Sequence, residues 1–137
     1  MFDLNYLTVA DVIAIYDRVM LESDQMPAAL VREDALQRAV HHPRVLAHYE
    51  GASLAAQAVD LALELALAHA WVDGNKRISV RSFEVFLELN HVATPDADRK
   101  QFIDDFIDVV GAKPEERSEL LGGLIGMVQR WVDAAAG

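Results

Sequence analysis

The sequence predicts an all-α fold: a compact single-domain helical bundle over residues 1–137, built around one central buried helix. Three observations predict it. Apolar residues recur at the three- and four-residue spacing of a helix face through most of the chain. Capping residues or prolines stand ahead of those stripes. The segment LAAQAVDLALELALAHA, from Leu54 to Ala70, has only Gln57, Asp60 and Glu64 as polar positions before His69, so it is apolar nearly all round.

Thr8, with Asp11 three residues on, is an N-cap signal ahead of Val9, Val12, Ile13, Ile15 and Tyr16, and the stripe predicts a first helix to about Glu22. Residues 24–31, interrupted by Pro27, are expected to hold a short extended or hairpin loop. Arg32 to His41 reads as a short helix that stops before Pro43, because a residue preceding proline resists the α region. Arg44 to Glu50 adds a turn before Gly51. Ser53 caps the central helix, whose alanines have high helix propensity and allow close approach. Lys76 to Leu89 forms the next helix, with Arg77, Arg81, Glu84 and Glu88 on one face and Val80, Phe83, Phe86 and Leu87 broadly on the other, stopped at Asn90. Thr94-Pro95 opens a helix through Phe102, Ile103, Phe106 and Val110 to Gly111. Pro114 opens the last, with Leu120, Leu124, Met127, Val128 and Trp131 inward, and Gly122, Gly123 and Gly126 mark a place to bend or pack closely.

Composition narrows the function classes. The chain has 137 residues, 53% of them apolar, and no cysteine, which suits one domain with a real core and excludes disulfides and thiolate chemistry. A cytoplasmic setting is the expectation. The amino terminus, MFDLNYLTVAD, has no basic region before its apolar run and does not read as a secretory signal. The interrupted apolar stretches argue against a membrane span. A net charge of -10 makes direct nucleic-acid binding a poor expectation.

That charge is uneven. Residues 1–68 carry 4 basic and 10 acidic groups and residues 95–137 carry 5 and 9, whereas residues 69–94 carry 3 and 3. Within this neutral middle, Gly74 to Phe83 holds Lys76, Arg77 and Arg81 with no carboxylate, a small positive island.

The residues His69 to Arg77, HAWVDGNKR, link the end of the central helix to the start of the next. The first amides of a helix have no intrahelical partner and its dipole favours anions, so Gly74, Asn75 and Lys76 can present N–H groups to a phosphate. Lys76 and Arg77 add full charge, the latter with a planar fork suited to phosphate oxygens. Asp73 is the one carboxylate, of the kind that holds Mg²⁺ beside phosphate. His69 can accept a proton from an incoming hydroxyl. Base, metal ligand and cradle together point to phosphoryl or nucleotidyl transfer.

This segment resembles the signature loop of the Fic superfamily, H-P-F-x-D/E-G-N-G-R-x-x-R, and within it is most similar to the death-on-curing (Doc) toxins, with a loop close to H-x-F-x-x-A/G-N-K-R. Tyr6-Leu7-Thr8, Val31 to Leu36 and Leu87 to His91 also resemble Doc-family segments, so the likeness covers roughly residues 6–95. The resemblance implies His69 as catalytic base, Asp73 as metal-binding acid, Gly74 and Asn75 as phosphate-binding backbone and Arg77 as phosphate-binding arginine. Lys76 departs from the AMP-transferring members, which have glycine there and a second arginine where this chain has Val80. Arg81 is one place late, about 100° further round a helix. Members with the lysine are understood to bind ATP in the reversed sense and to pass its γ-phosphate to translation elongation factor Tu. Catalytic Lys76 is part of that implication. Trp71, in place of the usual phenylalanine, is expected to anchor the loop in the core.

The resemblance therefore implies a toxin of a toxin–antitoxin pair that uses ATP and Mg²⁺, acts on a protein hydroxyl, inhibits translation and is restrained by a cognate antitoxin. AMP transfer, or a catalytically silent helical binding module, is the alternative. Other polar groups have plainer readings. Arg81 and the Asp104, Asp105 and Asp108 group are expected on wet helix faces, and Arg32 as a first-turn residue. His41-His42 reads as a helix-end pair without a third metal ligand.

Overall fold

A computed structural model describes residues 3–137; Met1 and Phe2, on which the amino-terminal reading partly rests, lie outside the described residues. The described chain is all-α. Its six helices are α1 (Val9–Glu22), α2 (Glu33–Glu50), α3 (Leu54–Ala68), α4 (Asn75–Leu89), α5 (Asp96–Gly111) and α6 (Pro114–Ala136). Among the described residues no helix is long and apolar enough to cross a membrane.

Central α3 packs against α2, α4, α5 and α6, and α1 lies against α4 and α2. Burial of Ala55, Ala58, Val59, Leu61, Ala62, Leu63, Leu65 and Ala66 explains why this helix is apolar nearly all round. Even Gln57 is buried, accepting from the Tyr6 hydroxyl at 2.6 Å and donating to the Ala52 carbonyl at 2.9 Å. At the α4–α5–α6 junction Phe83 stacks on Phe102 at 4.3 Å between ring centres, and the Trp131 indole donates to Asp98 at 3.0 Å.

Local signals account for the starts of α1, α3 and α6. Thr8 and Asp11 form the reciprocal capping box of α1, Ser53 caps α3, and Pro114 occupies the first turn of α6. The Arg117 guanidinium donates to the carbonyls of Val109, Val110 and Ala112, closing the α5 end.

Five expectations are corrected or narrowed by the structure. First, α2 does not stop at His41 but runs through Pro43 to Glu50. An interior proline costs about 3 kcal/mol. Buried Leu36, Ala39, Val40 and Pro43 supply packing of comparable size, at about 1.5–3 kcal/mol for a fully buried large aliphatic side chain. His41 and His42 are therefore mid-helix residues. Second, α5 begins at Asp96, and the Thr94 hydroxyl is buried without a partner instead of capping it. Third, of the two alternatives for residues 24–31 the extended loop is the one found, without a hairpin of its own; Leu30 makes an isolated antiparallel bridge with Trp71. Fourth, Glu84 is buried and receives the Arg99 guanidinium at 2.9 and 3.1 Å, so it does not share a wet face with Arg81. Fifth, α6 runs unbroken past Gly122, Gly123 and Gly126, and a Cβ added at any of them would meet nothing, so the expected close packing at these glycines is not found.

Candidate active site

The site is built where α3 ends. His69 adopts the left-handed conformation (φ 46°, ψ 46°), which turns the chain sharply off the helix and leaves its ring at the surface. That backbone costs a β-carbon-bearing residue about 1–2 kcal/mol. Hydrogen bonds just beyond it hold the turn: the Val31 and Arg32 amides both donate to the Ala70 carbonyl, at 2.8 and 3.0 Å, and the Val72 amide donates to Ala29 at 3.1 Å. The extended loop thus straps the segment carrying His69 and Asp73.

Beneath the strap, buried Trp71 stacks on buried Tyr16 with ring centres 4.2 Å apart and planes 7° from parallel. The Tyr16 hydroxyl donates to the Asp73 carbonyl at 2.8 Å and accepts from the Ala28 amide at 3.0 Å, tying strap and loop to α1. Gly74 follows with φ 84°, and an added Cβ would lie 2.9 Å from Met20 Sδ and 3.1 Å from Tyr16 Cε1. Only glycine meets both demands, a left-handed backbone and direct contact with α1.

Asn75 opens α4, and its side chain folds back onto the loop. Its Oδ1 accepts from the Trp71 amide at 3.1 Å and its Nδ2 donates to the Trp71 carbonyl at 2.8 Å. The Asn75 side chain is therefore a brace, and only its backbone is left for a ligand. The Ile78 amide makes the bond to Gly74 at 3.0 Å, so the Asn75, Lys76 and Arg77 amides ahead of it have no intrahelical acceptor.

His69, Asp73, Gly74, Asn75, Lys76 and Arg77 all line one open cavity of about 310 Å³, with Ala66, Val72 and Val110 as its apolar wall. His69, Asp73, Lys76 and Arg77 are exposed. Among the described residues, neither the Asp73 carboxylate nor the two cations form an ion pair. Arg77 is held from the side by Gln25, whose amide oxygen it meets at 2.7 Å. This arrangement can take an anion at the α4 amides, balance its charge with Lys76 and Arg77, and present an imidazole and a carboxylate to it. One free carboxylate beside a phosphate cradle fits Mg²⁺, which keeps waters and phosphate oxygens as its other ligands.

Lys76 and Arg77 also line a second cavity of about 330 Å³, together with apolar Val19, Val80, Ile103, Phe106 and Ile107 and with Glu22, Arg81 and Arg99. Arg81 faces this neighbouring groove and pairs with Glu88 at 3.5 Å. Arg32 and the Asp104–Asp108 group lie outside the loop cavity.

Sequence reasoning missed the residues that shape the loop from outside: Tyr16, Met20 and Gln25. A hydroxyl on the otherwise apolar α1 stripe was the one available signal. It also missed a cluster on the opposite side of α3, where His42 meets Asp60 and Glu64.

A family model described as the Fic/DOC family matches residues 6–87, more than half of the chain. No curated protein matches it.

Proposed function

The chain belongs to the Fic/DOC family, typically nucleotidyl- or phosphotransferases that use ATP with Mg²⁺, and on that premise we propose that it transfers the γ-phosphate of ATP to a protein hydroxyl. The observation that carries this reading is the convergence of exposed His69, Asp73, Lys76 and Arg77 with the first amides of α4 on a single open cavity. Lys76, which stands where AMP-transferring relatives have glycine, favours phosphate over AMP as the transferred group.

In this reading the α4 amides and Arg77 bind the polyphosphate, and Lys76 offsets charge at the γ-phosphate as it moves. His69 takes the proton of the acceptor hydroxyl as the hydroxyl oxygen bonds to the γ-phosphorus. The bond from that phosphorus to the bridging oxygen breaks, and the electron pair leaves on ADP. Asp73 would hold the Mg²⁺, which when bound would supply charge neutralisation at the phosphates. Tyr16, Asn75 and the strap keep the loop from relaxing between turnovers.

Translation elongation factor Tu is the acceptor this reading favours, and arrest of translation the consequence, as for the Doc toxins the loop resembles. A cognate antitoxin is the corresponding partner. The mixed apolar and charged lining of the groove beside the loop supports it, because an amphipathic segment seated there would lie against Lys76 and Arg77. The absence of cysteine agrees with a cytoplasmic setting.

Incubating the protein and Mg²⁺ with elongation factor Tu and ATP labelled at either the α- or the γ-phosphate tests the reading. Label from the γ-position alone is expected on the factor. Label from the α-position would identify AMP transfer instead, and no transfer of either would favour a silent binding module.

A further inference from the structure

On the side of α3 away from the phosphate cavity, His42 of α2 faces Asp60 and Glu64, one helical turn apart on α3. His42 Nδ1 lies 2.9 and 2.8 Å from the two Asp60 oxygens and 3.5 Å from Glu64 Oε1. One donor atom from each residue lies within 4.8 Å of the other two. Around a tetrahedral Zn²⁺, with bonds of about 2.0–2.2 Å to nitrogen and carboxylate oxygen, neighbouring ligand atoms sit about 3.4 Å apart. The cluster needs only small side-chain adjustments to reach that spacing.

The surroundings ask for a cation. The Asp60 side chain is only 11% exposed, while His42 and Glu64 remain about one-third open, so the cluster has a dry base and a wet mouth. Glu50 adds negative charge nearby, and among the described residues the one basic partner of Asp60 and Glu64 is His42 itself, at 2.8 and 3.5 Å, a single imidazole shared by two carboxylates with no lysine or arginine paired to either. Glu84, a buried carboxylate of α4, has an arginine, Arg99. A buried acid normally demands such compensation.

We propose that His42, Asp60 and Glu64 form a site for a divalent transition-metal ion of Zn²⁺ type, which clasps α2 to α3 and keeps water at its open position. An imidazole with two carboxylates selects this class over Mg²⁺, which takes oxygen ligands and keeps most of its water. The site is independent of the phosphate-transfer reading.

The test is Zn²⁺ titration of the full chain after chelator treatment, followed by calorimetry and by the melting temperature. One Zn²⁺ per chain and a raised melting temperature are expected, with excess Mg²⁺ failing to compete. His42→Ala and Asp60→Asn should weaken binding at least tenfold and abolish the thermal shift. Glu64→Gln, at a half-buried position that tolerates the change, should do the same in a folded protein if either of the others fails to fold. The double variant His69→Ala, Asp73→Asn should bind Zn²⁺ like the parent. No binding at micromolar Zn²⁺, binding unchanged by Glu64→Gln, or binding lost in the His69/Asp73 variant would each overturn the proposal.

Discussion

The Tyr16 hydroxyl donates a 2.8 Å hydrogen bond to the carbonyl of Asp73, so a fully buried side chain of α1 sets the backbone of the loop's only carboxylate. The same hydroxyl accepts from the Ala28 amide, and the ring carries Trp71. One residue therefore positions the strap, the aromatic anchor and the proposed metal ligand, although it does not line the cavity.

Tyr16→Phe keeps the stacking and removes only the hydroxyl, leaving the Asp73 carbonyl and the Ala28 amide without that partner. A stability loss of about 1–3 kcal/mol is expected from the denaturation midpoint. Transfer activity should fall by more than the folded fraction does, because the loop loses its tie to α1. Activity that simply tracks the folded fraction would show that the bond supports the fold and not the site.

Gly74→Ala places a Cβ against Met20 and Tyr16 at a left-handed backbone position, whereas Gly51→Ala meets only the backbone demand, with open space around its Cβ (φ 63°). The expected loss at Gly51 is about 1 kcal/mol and at Gly74 about 2–4 kcal/mol, the difference coming from overlap. Equal losses in parallel urea unfolding would mean that the loop does not press on α1.

A pH dependence follows from the α2–α3 cluster. Burial pushes the Asp60 carboxyl up to about 6; His42 opposes this, and Glu64 and Glu50 reinforce it. Burial pulls His42 down, but the hydrogen bond and charge of Asp60, with the charges of Glu64 and Glu50, outweigh that and raise it on balance. Both groups hold protons more tightly folded than unfolded. Their stabilisation is complete below the ordinary carboxylate value of 3.8 and fades as pH rises through about 6 and then through the raised histidine value, above 6.5. In the presence of chelator, the parent should lose stability relative to Asp60→Asn between pH 4 and pH 7. A difference that is flat or grows with pH would contradict the cluster's geometry.

Much of this was legible in the sequence because it depends on local rules. The Thr8 and Ser53 caps, Pro114 at the start of α6, the apolar α3 and the turn through Gly74 into α4 all follow from neighbours within a few residues. What stayed hidden depends on contacts between distant segments. Packing against α3 carries α2 through Pro43, a tertiary effect that outweighs proline's local preference. The role of the Asn75 side chain as a brace was not visible either, because its two bonds go to the Trp71 backbone across the turn. Glu84 looked like a surface acid because its partner, Arg99, lies on the next helix. Likewise His42 had no visible third ligand, because Asp60 and Glu64 approach it only once α2 and α3 pack.

The central claim is that the imidazole of His69 and the carboxylate of Asp73 act on a nucleotide held by the start of α4. The most direct measurement is the initial rate of γ-label transfer from ATP to elongation factor Tu by the parent, His69→Ala and Asp73→Asn, each first shown to unfold at the parent's denaturant midpoint. Both side chains are exposed, so the folds should be unaffected. The account predicts rates lower by about 10²–10⁴-fold for His69→Ala, the range for loss of a positioned general base, and a comparable collapse for Asp73→Asn. A parent that transfers label while His69→Ala matches its rate would contradict it.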